Sequence, residues 1–190
     1  MLLYSDQVLL IEALATQLGA LLADKEKKIV TAESCTGGWV SQAITQVAGS
    51  SLWFDRAYVT YSNEAKRSML GVKARTLKSE GAVSRAVVEE MAEGALKKSG
   101  ADFAVAISGI AGPGGGTEDK PVGTVWFAWN LAGQVDAAMV VLPGERRDVR
   151  AAAVTLALQG LLVRVRRWLA QHPEVPETDK QLPQLLDEAQ

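Results

Sequence analysis

Lys28-Ile-Val-Thr-Ala-Glu-Ser-Cys-Thr-Gly-Gly38 is the stretch on which the fold of this chain turns. Lys28-Ile-Val-Thr31 is a short apolar run that predicts a strand. Behind the stretch, Trp39-Val-Ser-Gln-Ala-Ile-Thr-Gln-Val47 carries Val40, Ile44 and Val47 at helical spacing. The polar residues therefore sit where a strand hands over to a helix, which in open α/β sheets is where ligands bind. Thr36 reads as the helix N-cap, and Gly37 and Gly38 leave room for a ligand against the unpaired N–H groups of the first turn. Glu33, Ser34, Cys35 and Thr36 supply a carboxylate and three candidate nucleophiles at one corner. The plain alternative is a capped turn whose small residues serve packing.

Outward from this corner the pattern alternates. Val8-Leu-Leu-Ile11, Leu14, Leu18 and Leu21-Leu22 repeat every 3.6 residues and predict a helix over about 5–23. Trp53-Phe-Asp-Arg-Ala-Tyr-Val-Thr60 predicts a second strand, and Tyr61 to Leu70 a second strand-to-helix corner, capped by Ser62 or Asn63 and stopped at Gly71. A short helical piece over 76–80 precedes a helix from Ser84 to Lys98 with Val87, Val88, Met91 and Leu96 inward. Phe103-Ala-Val-Ala-Ile-Ser108 suits a central strand buried on both faces. Ile110 to Thr117 is a glycine-rich loop, and residues 122–130 and 135–142 flank a turn, giving a hairpin. A last helix over 146–170 packs Val154, Leu158, Leu161, Leu162, Val165 and Leu169, with Arg164, Arg166 and Arg167 as a solvated face. The expected fold is a three-layer α/β/α domain with a mixed, mostly parallel sheet over 1–170. A polar tail over 171–190, with a short terminal helix, follows it.

The 190 residues suit one domain. Twenty basic against twenty-two acidic side chains argue against a nucleic-acid binder working through a basic face. No charged n-region precedes a long apolar core, and no uninterrupted run of about 18 apolar residues exists. Neither a signal peptide nor a membrane span is expected, so the expected location is the cytoplasm. One cysteine, Cys35, excludes an internal disulfide and a multi-cysteine metal site. The one histidine, His172, falls in the polar tail, so a general base must come from Lys, Tyr, Asp or Glu. No metal or other cofactor is expected.

The glycine-rich loop lacks the Gly-Lys-Ser/Thr of a P-loop, and a strand rather than a helix follows it, which excludes a dinucleotide fingerprint. It is either a nest of N–H groups for a phosphate or a crossover loop. Tyr61 and Lys66 lie five positions apart across a helix start, where their side chains can converge and where the helix dipole disfavours a charged lysine. An exposed lysine beside a packing tyrosine is the alternative. Arg146, Arg147 and Arg150 follow Pro143-Gly144 and suit an anionic ligand as readily as solvent.

Thr31-Ala-Glu-Ser-Cys-Thr-Gly-Gly38, Val59-Thr-Tyr-Ser-Asn-Glu-Ala-Lys66, Gly81-Ala-Val-Ser84, Ser108-Gly-Ile-Ala-Gly-Pro113 and Lys120-Pro-Val-Gly-Thr124 come in one order. Together, over about residues 5–168, they resemble the CinA C-terminal domain family in its stand-alone form. Larger members carry an additional N-terminal domain for which 190 residues leave no room, so that domain's activity is not expected. The resemblance implies metal-free hydrolysis of the carboxamide of nicotinamide mononucleotide, giving nicotinate mononucleotide and ammonia in pyridine-nucleotide recycling.

It places the family's serine, tyrosine and lysine on Ser34, Tyr61 and Lys66, with Tyr58 nearby but outside the matching motif. Ser34 is then the nucleophile, Lys66 the neutral base and Tyr61 the group that relays or positions the proton, with activation of a water by serine and lysine as the alternative to an acyl-enzyme. Backbone N–H groups near Thr36 to Gly38 are the candidates for an oxyanion hole. Glu33, Thr36, Gly37, Gly38, Ser108, Gly109, Ala111, Gly112, Arg146 and Arg150 are the expected substrate-binding residues. Cys35 is intrinsically the better nucleophile, but the resemblance favours Ser34. Members are also known through competence or DNA damage, so a non-catalytic nucleotide-binding regulatory domain is the alternative. The expected assembly is a homo-oligomer, guessed as a dimer.

Overall fold

The computed structural model describes residues 4–173. Five strands form one sheet in the order β2-β1-β3-β4-β5, with β1 Ile29–Glu33, β2 Phe54–Val59, β3 Phe103–Gly109, β4 Thr124–Leu131 and β5 Gln134–Val141. β1 pairs in parallel with β2 and β3, whereas β4 runs antiparallel to both β3 and β5. Four strands thus share one direction and β4 opposes them, which is the expected mixed, mostly parallel sheet. The β4–β5 hairpin turns through Ala132 and Gly133, both at positive φ, and Asn130 Oδ1 accepts the Gly133 N–H at 2.8 Å.

Helices cover both faces. α1 (Tyr4–Asp24), α2 (Trp39–Thr45) and α6 (Arg146–Gln171) pack on one face against Ile29, Phe103, Val105, Phe127 and Trp129. α3 (Asn63–Leu70), α4 (Ala74–Glu80) and α5 (Arg85–Lys97) cover the other. There Val87, Val88 and Met91 of α5 rest on Val30, Ala32, Ala104, Ala106 and Ala128, small residues that let the helix lie close. The same closeness explains Gly94: a Cβ there would stand 1.9 Å from the Leu70 carbonyl oxygen. Alternating burial along β3 disappears because both its faces are covered, as its continuous apolar run requires.

Several expectations need amendment. Thr36 does not cap α2. Gly37 and Gly38 both take positive φ, so the helix starts two residues later with Gly38 at the N-cap, and Thr36 turns inward. Arg164 is not a solvated charge. Its Nε donates to Asp136 at 2.9 Å, and its guanidinium lies 3.9 Å from the Trp129 ring centroid, tying α6 to the hairpin.

α1 is long and apolar enough to cross a membrane by length and composition, although no uninterrupted apolar run exists. Its Ile11, Leu14, Ala15, Leu18 and Leu22 are buried in the core it shares with α6. His172 sits at the α6 C-terminus, stacked on Trp168 with 4.2 Å between ring centroids. Most of the expected tail and its short terminal helix, residues 174–190, lie outside the described residues.

Candidate active site

The strand order creates a switch point. β1 leads through α2 to β2 on one side, while β3 leads to β4 on the other, so a crevice opens between the carboxyl ends of β1 and β3. Ser34 stands at the end of β1, its N–H on the Ile107 carbonyl of β3 at 3.0 Å. The Lys66 Nζ reaches it from α3 and lies 2.9 Å from Ser34 Oγ and 2.8 Å from the Thr60 carbonyl oxygen. Ser62 caps α3 by accepting the Ala65 N–H at 3.0 Å, which sets the helix start so that Lys66 points into the protein.

Lys66 is 1% exposed, and among the described residues no carboxylate forms an ion pair with it. Burial lowers its pKa from 10.5 to about 8, against a smaller opposing contribution from Cys35. A neutral amine has two N–H donors and one lone pair. With one N–H on Thr60, the lone pair is free to accept the Ser34 hydroxyl proton.

Cys35, by contrast, is packed into the core, and burial pushes its thiol up to about 11. A protonated thiol at neutral pH is a poor nucleophile. The geometry thus separates the two neighbours: Ser34 meets the base and Cys35 meets the core.

Glu33 is the largest surprise at this corner. It is fully buried. Its carboxylate accepts the N–H groups of Gly38 at 3.0 Å, Val40 at 3.1 Å and Ser41 at 2.8 Å, together with the Thr36 hydroxyl at 2.7 Å. One buried carboxylate therefore satisfies the first turn of α2 and holds the corner. The N–H groups from Gly37 to Ser41, expected to meet a ligand there, are spent within the protein, and the side chains of Glu33 and Thr36 bind the protein itself.

Among the described residues no hydrogen bond joins Tyr61 to Lys66 or Ser34. Tyr61 is 64% exposed, and its hydroxyl accepts from Arg146 Nη2 at 3.0 Å. Lys66 turns inward while Tyr61 stays at the rim. The Tyr58 hydroxyl donates to the Lys98 carbonyl at 3.0 Å, on the far side of the sheet edge.

A cleft of about 610 Å³ opens at the start of α6, lined by Ala111, Gly112, Pro113, Val122, Gly144 and Glu145 with Arg146, Arg147 and Arg150. Two arginines tie this cleft to the corner. Arg146 Nη1 donates to the Gly112 carbonyl at 2.8 Å while Nη2 reaches Tyr61. Arg150 donates to the carbonyls of Cys35 at 3.1 Å and Thr36 at 2.8 Å. Glu145 and Asp148 cap α6 reciprocally, and Arg146, Arg147 and Arg150 give the cleft its cationic side chains.

Ser108 is buried with its hydroxyl on the Ala82 carbonyl at 2.8 Å, and Gly109 approaches Thr124 and Val125 too closely for any Cβ. Both shape the floor beside the crevice. The Thr60 carbonyl, which orients Lys66, left no sequence signal, because a backbone acceptor does not depend on residue type. Among the described residues no cluster of three His, Cys, Asp or Glu side chains stands ready for a metal.

Fold and pair together define a three-layer α/β protein with a buried serine–lysine pair at the switch point of its sheet. The chain belongs to the CinA C-terminal domain family, whose model matches residues 11–165. It is 56% identical over 149 residues to nicotinamide-nucleotide amidohydrolase PncC of Escherichia coli strain K12, covering 78% of this chain and 90% of that one. The PncC of Pseudomonas putida is 51% identical over 152 residues, covering 80% and 95%. Among solved structures, the competence/damage inducible protein CihA of Agrobacterium tumefaciens superposes with a TM-score of 0.80 at 46% identity, covering 83% and 96%.

Proposed function

We propose that this chain is a nicotinamide-nucleotide amidohydrolase that converts nicotinamide mononucleotide to nicotinate mononucleotide and ammonia, acting in the cytoplasm in pyridine-nucleotide recycling. The substrate follows from the two relatives of that name, each matched over nine-tenths or more of its length. The chemistry follows from one observation: a buried lysine, without a carboxylate partner among the described residues, lies 2.9 Å from a serine hydroxyl.

In the proposed reaction Lys66 takes the Ser34 proton as Oγ bonds to the carboxamide carbon. Collapse of the tetrahedral intermediate breaks the C–N bond, and the proton on Lys66 leaves with the nitrogen as ammonia. Water, activated by the same amine, then hydrolyses the Ser34 ester and frees the carboxylate product. The Thr60 carbonyl keeps the amine aimed through both halves. Tyr61, held by Arg146 at the rim, borders the substrate's path instead of relaying the Ser34 proton.

The nucleotide phosphate has a natural place in the arginine-lined cleft, with Arg146 and the loop at Gly112 around it. Binding energy from that remote group then positions the amide. Free nicotinamide and nicotinamide riboside should accordingly be poor substrates, and Arg146→Ala should narrow the preference for the nucleotide. Equal hydrolysis of nucleotide, riboside and free base would make the chain a general amidase. Tight nucleotide binding with no ammonia released would favour the regulatory-domain reading. The proposed dimer is checked by light scattering.

A further inference from the structure

The peptide planes around Ser34 hold more than the nucleophile and its base. The N–H groups of Gly37, Gly38, Trp39, Val40 and Ser41 are all spent inside the protein: on the Ser34 carbonyl, on Glu33, on the Thr36 carbonyl, and twice more on Glu33. The Ser34 N–H is spent on Ile107. Those of Cys35 and Thr36, which follow the nucleophile, donate to no other described residue, the Cys35 N–H lying against its own thiol. Both belong to trans units, and a trans peptide points its N–H opposite to its C=O. Each of these two donors is therefore aimed by whatever holds the carbonyl of its own unit.

The Ser34 carbonyl, in one unit with the Cys35 N–H, is held by Gly37 N–H at 3.0 Å. The Cys35 carbonyl, in one unit with the Thr36 N–H, is held by Arg150 Nε at 3.1 Å, while Arg150 Nη2 holds the next carbonyl, that of Thr36, at 2.8 Å. The rigid fork of a guanidinium suits two adjacent carbonyls, and a charged donor on a carbonyl polarises the N–H across the same unit.

We propose that the Cys35 and Thr36 N–H groups form the oxyanion hole for the tetrahedral intermediate on Ser34. Arg150 is then a positioning residue that aims and strengthens the Thr36 donor, although it also lines the cleft. This rests on the serine-hydrolysis reading above. It reassigns Arg150 from binding substrate to supporting the charge that develops during reaction, a contribution that appears in kcat rather than in KM.

The test compares the parent chain, Arg150→Ala and Arg150→Lys on nicotinamide mononucleotide and on phosphate-free nicotinamide riboside, following ammonia. Arg150→Ala should lower kcat for the nucleotide about 100-fold, with KM within about threefold of the parent. Hydrolysis of the riboside should fall by the same factor. Arg150→Lys, which reaches one carbonyl only, should fall between, and added guanidinium should restore part of the Arg150→Ala rate. If Arg150→Ala fails to fold, Arg150→Lys carries the same comparison. Nucleotide affinity in a Ser34→Ala background should be unchanged by either Arg150 substitution. A loss confined to KM, or to the nucleotide alone, would make Arg150 a phosphate ligand and overturn the inference. So would an unchanged kcat. A parent chain that hydrolyses neither substrate would defeat the underlying reading itself, before any Arg150 variant is compared.

Discussion

Replacing Lys66 by Met should make this protein more stable and inactive at once. The folded chain holds Lys66 at a pKa of about 8, whereas an unfolded chain restores 10.5. That gap corresponds to about 3 kcal/mol of disfavoured charge at pH 7. Met has similar length and no charge, but it abandons the bond to the Thr60 carbonyl at 2.8 Å and the contact with Ser34 at 2.9 Å, which offsets about 1–2 kcal/mol.

The net expectation is a gain of about 1–2 kcal/mol at pH 7, read by chemical denaturation. The sign with pH follows from the lowered value. Between about 8 and 10.5 the unfolded chain binds more protons than the folded one. Parent stability therefore rises across that window and the advantage of Lys66→Met shrinks. A variant less stable than the parent at pH 7, or an advantage that grows from pH 8 to 10.5, would refute the picture of a lysine kept strained for catalysis.

Turnover itself should increase as pH rises through about 8, because only the neutral amine accepts the Ser34 proton; a pH–kcat profile checks this. Cys35→Ala should keep most activity and lose about 1 kcal/mol of stability from its buried site, measured by ammonia release and by unfolding. Glu33→Gln should cost about 2–4 kcal/mol, since an amide NH2 then opposes at least one of the N–H donors that the carboxylate accepts, and thermal unfolding reads that loss.

How far these features were legible in the sequence depends on the range of the interaction that makes them. The doubly buried run of β3, the Ser62 cap, the Gly71 stop and the apolar stripe of α6 are local patterns, and each is found where periodicity and turn chemistry put it. The corner itself was legible as a corner. Its start shifted from Thr36 to Gly38 because two successive glycines at positive φ extend the turn before the helix can begin.

Glu33 left a faint signal: an acidic residue shortly before a glycine-rich helix start can reach back onto that helix. The grip of Arg150 on the corner left none, because the two carbonyls it holds lie 114 and 115 residues away, and the sequence marked it only as a candidate for an anionic ligand. Tyr61 was misdirected by spacing alone. Five positions across a helix start fix separation along the chain, but Arg146 from α6 decides where the ring points. Arg164 escaped likewise, since its partners Asp136 and Trp129 belong to the hairpin.

The central claim is that Ser34, activated by Lys66, hydrolyses the carboxamide of nicotinamide mononucleotide. Its most direct test is ammonia release from that nucleotide by the purified chain, alongside Ser34→Ala. The expected result is stoichiometric ammonia and nicotinate mononucleotide from the parent, and none from Ser34→Ala, which still binds the nucleotide. Full activity in Ser34→Ala, or a folded parent that binds the nucleotide and releases no ammonia, would contradict it.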